Sequence, residues 1–333
     1  MSLTSHLSSA TSPIGQFLRQ RFASSISLTK EANKLLRSVT TIRPAVSNWP
    51  YGTLGMAIDY RIRYSFAITP SNQLVARQGA PILAFKPLES DEDIPVSWED
   101  LPHGVGIPTR LDVSGVPLDI AQGPYPWKLI DSFFASLDMV LAEIQPVRRR
   151  LEFAAEQLLA RYCFVLSLFE EVFRSHRYLD GPLLMPASKR SIEELLSIAE
   201  DPWIADLCAM AALFYDHYSH LLSQPAVLNP TFTGSRDVGG ADADLIVDGC
   251  LIEIKASVQP KINTDWLRQL AGYVLLDYTD ERRIHSVGIY MARQGVLLTW
   301  PLADFFHLLT GDETLSVEVL RQVFRQLCKR SRT

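Results

Sequence analysis

Gly239-Gly240-Ala241-Asp242-Ala243-Asp244-Leu245-Ile246-Val247-Asp248-Gly249-Cys250-Leu251-Ile252-Glu253-Ile254-Lys255-Ala256-Ser257 is the stretch on which the reading of this chain turns. Asp248-Gly249 lies between two apolar runs, and a two-residue type I′ turn needs positive φ at both central positions, which Asp and Gly tolerate. Such a turn sets Val247 opposite Cys250 and fixes the register. Counting back from it, Asp244 faces Glu253 and Asp242 faces Lys255. Side chains alternate along a strand, so these four polar groups share one side while Leu245, Val247, Ile252 and Ile254 take the other. The expectation is a hairpin with one core face and one charged face.

Two carboxylates opposite each other on adjacent strands repel, and a fold that needed only stability would gain by replacing one. A hard divalent cation compensates them, because Mg²⁺ takes one or two carboxylates together with water and phosphate oxygens. On this reading Asp244, Glu253 and the backbone carbonyl of Ile254 hold Mg²⁺ or Mn²⁺. Lys255 steadies the attacking water or the scissile phosphate. Asp242 is either a further ligand or a salt partner that orients Lys255. The plainer reading is a surface hairpin whose charges are simply solvated.

The segment that follows reads as a helix capped by Asn263 or Thr264. Trp266, Gln269, Leu270 and Tyr273 recur at i, i+3, i+4 and i+7 and define the face turned to the sheet. A glutamine on an otherwise apolar face needs a hydrogen-bonding partner, and the charged face of the hairpin offers one.

The order of a strand Asp, Glu-x-Lys on the next strand, and a helix bearing Gln-x-x-x-Tyr resembles the RecB-like branch of the PD-(D/E)XK nuclease superfamily. The matching positions are Asp244, Glu253, Lys255, Gln269 and Tyr273, within roughly Thr231 to Trp300, under a third of the chain. The resemblance implies an α/β restriction-endonuclease-like core, a central mixed sheet flanked by helices. It also implies metal ligands at the two acids, a catalytic lysine and a supporting Gln-Tyr pair. Enzymes of this branch often carry a histidine on an early helix after Gly-Thr. Here Gly52-Thr53 is followed by Asp59, and Glu152, Glu156, Glu170 and Glu171 are alternative acids. The cysteine cluster of some relatives is absent, so no iron-sulfur group is implied.

Outward from the hairpin, composition sets bounds. At 333 residues with 47% apolar content the chain can bury one large core or two ordinary ones, and its net charge of −5 argues against coating nucleic acid through bulk positive charge. Any such contact is local, with Arg236, just before the hairpin, the best-placed candidate. Cys163, Cys208, Cys250 and Cys328 form no C-x-x-C pair and read as buried thiols of a reducing, cytoplasmic compartment. No apolar run approaches the roughly 18 residues of a membrane helix. The Ser-rich, basic first thirty residues superficially suggest a transit peptide. The stronger reading is an amphipathic helix opened by Pro13 that docks Ile14, Phe17, Leu18 and Phe22 on the body.

Texture divides the chain into three. Residues 1–130 hold N-terminal helices, including one over Tyr51 to Phe66, and an irregular stretch with short strands from Thr69 to Gln122. Residues 131–225 form a helical layer, with periodicity over Ile130 to Ile144, Leu151 to Phe173 and Ile192 to Leu222, interrupted by Pro146, the Asp180-Gly181-Pro182 turn and Pro186. Residues 226–333 form the nuclease-like core. Its strands fall near Ala241 to Val247, Cys250 to Ala256, His285 to Met291 and Val296 to Trp300, and a last helix spans Leu315 to Leu327. His217 and His220 read as a solvated helix face, and Arg148-Arg149-Arg150 and Lys329-Arg330-Ser331-Arg332 chiefly as helix-end charges.

Two functions remain in view. One is a metal-dependent nuclease acting on DNA more readily than RNA, in bacterial defence or repair. The other is an inactive nuclease-like fold serving as a nucleic-acid-binding or assembly module, which the acidic balance and the helical layer favour.

Overall fold

Serines set the first helix starts. Ser2 accepts from the Ser5 N–H to open α1 (Leu3–Ser8), and Ser12 accepts from the Gly15 N–H to open α2 (Pro13–Arg21), with Pro13 in the first turn. α3 (Ile26–Ser38) buries Leu28, Ala32 and Leu36, spaced four apart on one face. In this computed structural model the described residues are 2–47, 49–79, 86–87, 110–113, 116–119, 127–144, 150–175 and 191–331. The chain divides into two compact units, one of Met1–Arg43 with Ala212–Thr333, the other Pro44–Ala211.

The second unit contains α4 (Tyr51–Phe66), a three-stranded antiparallel sheet of β1 (Lys86–Pro87), β2 (Arg110–Val113) and β3 (Val116–Asp119), then α5 (Trp127–Glu143), α6 (Phe153–Ser175) and α7 (Ile192–Leu196). Wholly buried Arg61 on α4 reaches Glu156 on α6 through two nitrogens, at 2.6 and 2.7 Å. A buried charge pair persists where both partners are satisfied in this way. α8 (Asp201–Tyr218) contains the unit boundary. The single periodic run expected over Ile192 to Leu222 is split, because Pro202 fits the first turn of α8 and no helix interior.

The first unit is built on a five-stranded mixed sheet: β4 (Ala226–Leu228), β5 (Leu245–Val247), β6 (Cys250–Lys255), β7 (Ser286–Met291) and β8 (Val296–Pro301), in that spatial order. Only β6 and β7 run parallel; the other neighbours are antiparallel. The parallel pair needs a crossover, and α9 (Thr264–Leu276) supplies it, capped by the Asn263 side chain, which accepts from the Asp265 N–H at 2.9 Å. α10 (Leu302–Thr310) and α11 (Val317–Arg330) follow.

One sheet face, carrying Ile246, Leu251, Val287, Ile289 and Met291, shares a core with α9 and with Ile14, Leu18 and Phe22 of the N-terminal helices. On the opposite face Tyr290 meets Phe214 and Tyr218 of α8 edge-on, with ring centroids 5.5 Å apart in each case.

The mixed α/β architecture, the helix opened by Pro13 and the helix Tyr51–Phe66 agree with the sequence reading. β4, α1, α3 and α10 lie outside it. The unit boundaries, at residue 43 and within α8, fall elsewhere than the breaks at residues 130 and 225 suggested by composition. Pro146, Arg148, Arg149, Arg332 and the segment around Asp180-Gly181-Pro182 and Pro186 lie outside the described residues. Among the described residues, no helix is long and apolar enough to cross a membrane.

Candidate active site

Asp248 and Gly249 adopt φ of 46° and 71°, and the register they impose is Val247↔Cys250, Ile246↔Leu251 and Leu245↔Ile252. The ladder then stops. In a regular continuation the Ile254 N–H would bond the carbonyl of residue 243; instead it donates to Asp244 Oδ2 at 2.6 Å. Residues 242–244 pair on their other side, through Ala243 N–H to Pro230 O, Asn229 N–H to Asp244 O and an isolated bridge between Thr231 and Asp242. The expected strand register, with Asp242 directly across from Lys255, is therefore not formed. A side-chain carboxylate has taken the place of the next backbone acceptor, and the short strand leaves the ladder before reaching it.

The charged face is also not a surface. β6 is an inner strand, its polar side is roofed by α9, and Glu253 is only 4% exposed. The plainer reading, a surface hairpin with its charges simply solvated, does not hold for Glu253, while Asp242, Asp244 and Lys255 are half-buried.

Under that roof runs a chain of hydrogen bonds. Lys255 Nζ donates to Glu253 Oε1 at 2.8 Å and to Gln269 Oε1 at 3.1 Å, and Gln269 Nε2 donates to Tyr273 Oη at 2.8 Å. The Tyr273 ring stacks on Phe232, centroids 5.7 Å apart. Lys255 Nζ also lies 5.8 Å from the centre of the Trp266 ring, within cation–π range. Asp244, Glu253, Lys255, Gln269 and Tyr273 thus lie in one connected neighbourhood, with Ile254 contributing its N–H.

Glu253 Oε2 is buried with no hydrogen-bond partner, a position that costs a carboxylate most of its solvation. Burial first, and then the charges of Asp244 and Asp242, push its pKa up to about 7 against the pull of Lys255. Burial, and then the charges of Glu253, Asp244 and Asp242, raise the Tyr273 hydroxyl well above its usual range. Among the described residues no three His, Cys, Asp or Glu side chains group as a metal site. The oxygen set is two carboxylates and backbone, which suits a cation that keeps several waters, and the orphaned Oε2 supplies an unused donor.

The other candidates have surroundings of their own. Arg236 is exposed in a 3₁₀ turn, Ser235–Val238. Asp59 belongs to the second unit and pairs with Arg63 at 2.5 Å. Of the alternative acids, Glu156 holds Arg61, Glu170 accepts from Arg174 at 2.6 Å, and Glu171 accepts from Thr53 at 3.3 Å. His217 and His220 are exposed.

Sequence reasoning missed the groups that fix the turn out of β6. Arg293 Nε donates to Ala256 O at 2.7 Å, Gln294 Nε2 to Ser257 O at 3.1 Å, and Asn33 Oδ1 accepts from the Ile262 N–H at 2.7 Å. No spacing links residues 33, 256 and 293, so no local signal could have found them. Comparison with protein-family models, curated proteins and solved structures gives no match.

Proposed function

We propose that this chain is a divalent-cation-dependent phosphodiesterase, a nuclease with a PD-(D/E)XK core of the RecB-like kind, acting on DNA in a defence or repair setting. The supporting observation is the orphaned, buried Glu253 Oε2 beside Asp244, with Lys255 donating both to the same carboxylate and to Gln269. A buried carboxylate with a second acid and a half-buried lysine against it is costly to a fold, and a bound cation with a phosphate ester offsets that cost.

Asp244 and Glu253 would hold Mg²⁺ or Mn²⁺, which would supply a Lewis acid and lower the pKa of coordinated water. Lys255 presents its ammonium to the charge that grows on the phosphoryl oxygens. Gln269 positions that ammonium through its carbonyl oxygen, and Tyr273 holds the Gln269 amide in the required orientation.

The test is cleavage of single- and double-stranded DNA by purified protein with Mn²⁺. Lys255→Ala is expected to lower the rate by about 10² or more while calorimetric cation binding persists. Absence of any DNA or RNA cleavage by the wild type, together with unchanged behaviour of the Lys255→Ala variant in cells, defeats the reading. DNA affinity without cation binding would instead indicate the binding-module role.

A further inference from the structure

The far end of the segment leaving Lys255 is tied to α3 and its N-cap. Asn33 Oδ1 holds the Ile262 N–H, and Ser25 Oγ lies 3.1 Å from Thr264 Oγ1. Past the end of the helix, Thr41 Oγ1 accepts from Gln294, which also binds Ser257 O, and Ile42 exchanges backbone and side-chain bonds with Arg293, which holds Ala256. α3 therefore flanks the exit from the candidate active site.

Its surface is asymmetric. At about 100° per residue, Leu28, Ala32 and Leu36 form the buried side, and Asn33, Arg37, Lys30 and Lys34 fall within about 100° of arc that starts beside the 256–264 segment at Asn33 and runs across the solvent side to Lys34. Glu31 and Leu35 lie on the opposite flank. Lys30, Lys34, Arg37 and, on the segment itself, Lys261 are exposed. None of the four forms an ion pair with a described residue. The neighbouring acid Asp265 is taken by Arg268 at 2.8 Å. In a chain of net charge −5, this is a local, uncompensated row of cations about 10 Å long on the helix.

We propose that Lys30, Lys34 and Arg37, continued by Lys261, form the track that carries the phosphate backbone of a DNA strand to Glu253 and Lys255. This rests on the nuclease reading for its destination, but its own content is a binding surface. Cations spaced by one helical turn offer successive phosphates a contact each without reading bases. They also supply locally the charge that the acidic chain lacks overall.

The test is anisotropy of a labelled single-stranded oligonucleotide with full-length protein in EDTA, across a range of salt. Lys30→Gln/Lys34→Gln/Arg37→Gln is expected to weaken binding about tenfold or more and to reduce the slope of log affinity against log salt by about 2. Glu31→Gln, on the other flank, is expected to leave both unchanged. Lys34→Glu alone serves as a second variant and should weaken binding while retaining the wild-type circular dichroism. An unchanged affinity and slope in the triple variant overturns the track, as does a wild type that binds no DNA. Binding to anionic phospholipid vesicles in place of DNA, through the same cations and exposed Ile26, also overturns it. Cation-free DNA binding through this flank with no cleavage in Mn²⁺ would leave the track standing and remove the nuclease reading; cleavage unaffected by the triple variant would do the reverse.

Discussion

Glu253 concentrates the tension of the site in one side chain. Its pKa is raised from 4.5 to about 7 in the folded protein. The folded state therefore holds the proton more tightly than the unfolded chain between those values. The stability this contributes is full below about pH 4.5 and is lost as pH rises through 7, by an amount on the order of 3 kcal/mol. In EDTA, the thermal midpoint is expected to fall between pH 5 and pH 8. Mn²⁺ should restore it at pH 8, and Glu253→Gln should flatten the dependence. A midpoint that instead rises over that interval in EDTA would contradict the burial argument. Asp244→Asn makes a sharper distinction. An amide oxygen still accepts from the Ile254 N–H, while the charge next to Glu253 disappears. Metal-free stability at pH 8 should hold or increase by about 1 kcal/mol, and calorimetric binding of Mn²⁺ should vanish. Loss of stability with binding intact would show that Asp244 serves the fold alone.

Elements explain which parts of this neighbourhood could be read from the chain. The Asp248-Gly249 turn and the placement of Gln269 and Tyr273 on α9 follow from φ preference and a 3.6-residue repeat, both local rules. The departure at Asp244 does not, because it is decided by pairing of residues 242–244 with 229–231, a contact on the far side of the strand. Burial of the polar face likewise depends on β6 being an inner strand. The helices missed in the reading left signals: Pro301 and Gly311 bracket α10, Gly311 with φ of 70° at its end, and the four-residue spacing of Leu28, Ala32 and Leu36 marks α3. The α1–α2 pair rests on a close approach. A Cβ at Gly15 would sit 2.0 Å from the His6 carbonyl oxygen, and the His6 ring nitrogen Nδ1 meets the capping Ser12 Oγ at 2.8 Å. Gly15→Ala should therefore destabilise the protein by about 1–3 kcal/mol, measured by urea denaturation; a change below a few tenths would mean the two helices part at no cost.

At the scale of the whole molecule, Met1–Arg43 belong to the unit that carries the candidate site. Ile14, Leu18, Phe22 and Leu36 are fully buried in the core that includes α9. Phe22 meets Phe306 of α10 and Phe17 meets Phe324 of α11. Deletion of residues 1–43 should expose this surface and yield an aggregating or protease-sensitive chain, whereas a deletion product that resists limited proteolysis as well as the full chain would refute the shared core. Composition, periodicity and one turn dipeptide determined the α/β class of the C-terminal third, the hairpin register as far as Leu245 and the helix face bearing Gln269, because each depends on interactions a few residues apart. The tertiary structure alone decided that Glu253 is buried, that residues 242–244 leave the hairpin register, and that an N-terminal helix flanks the exit from the site. Those outcomes depend on contacts between residues separated by tens to hundreds of positions, which no local pattern encodes.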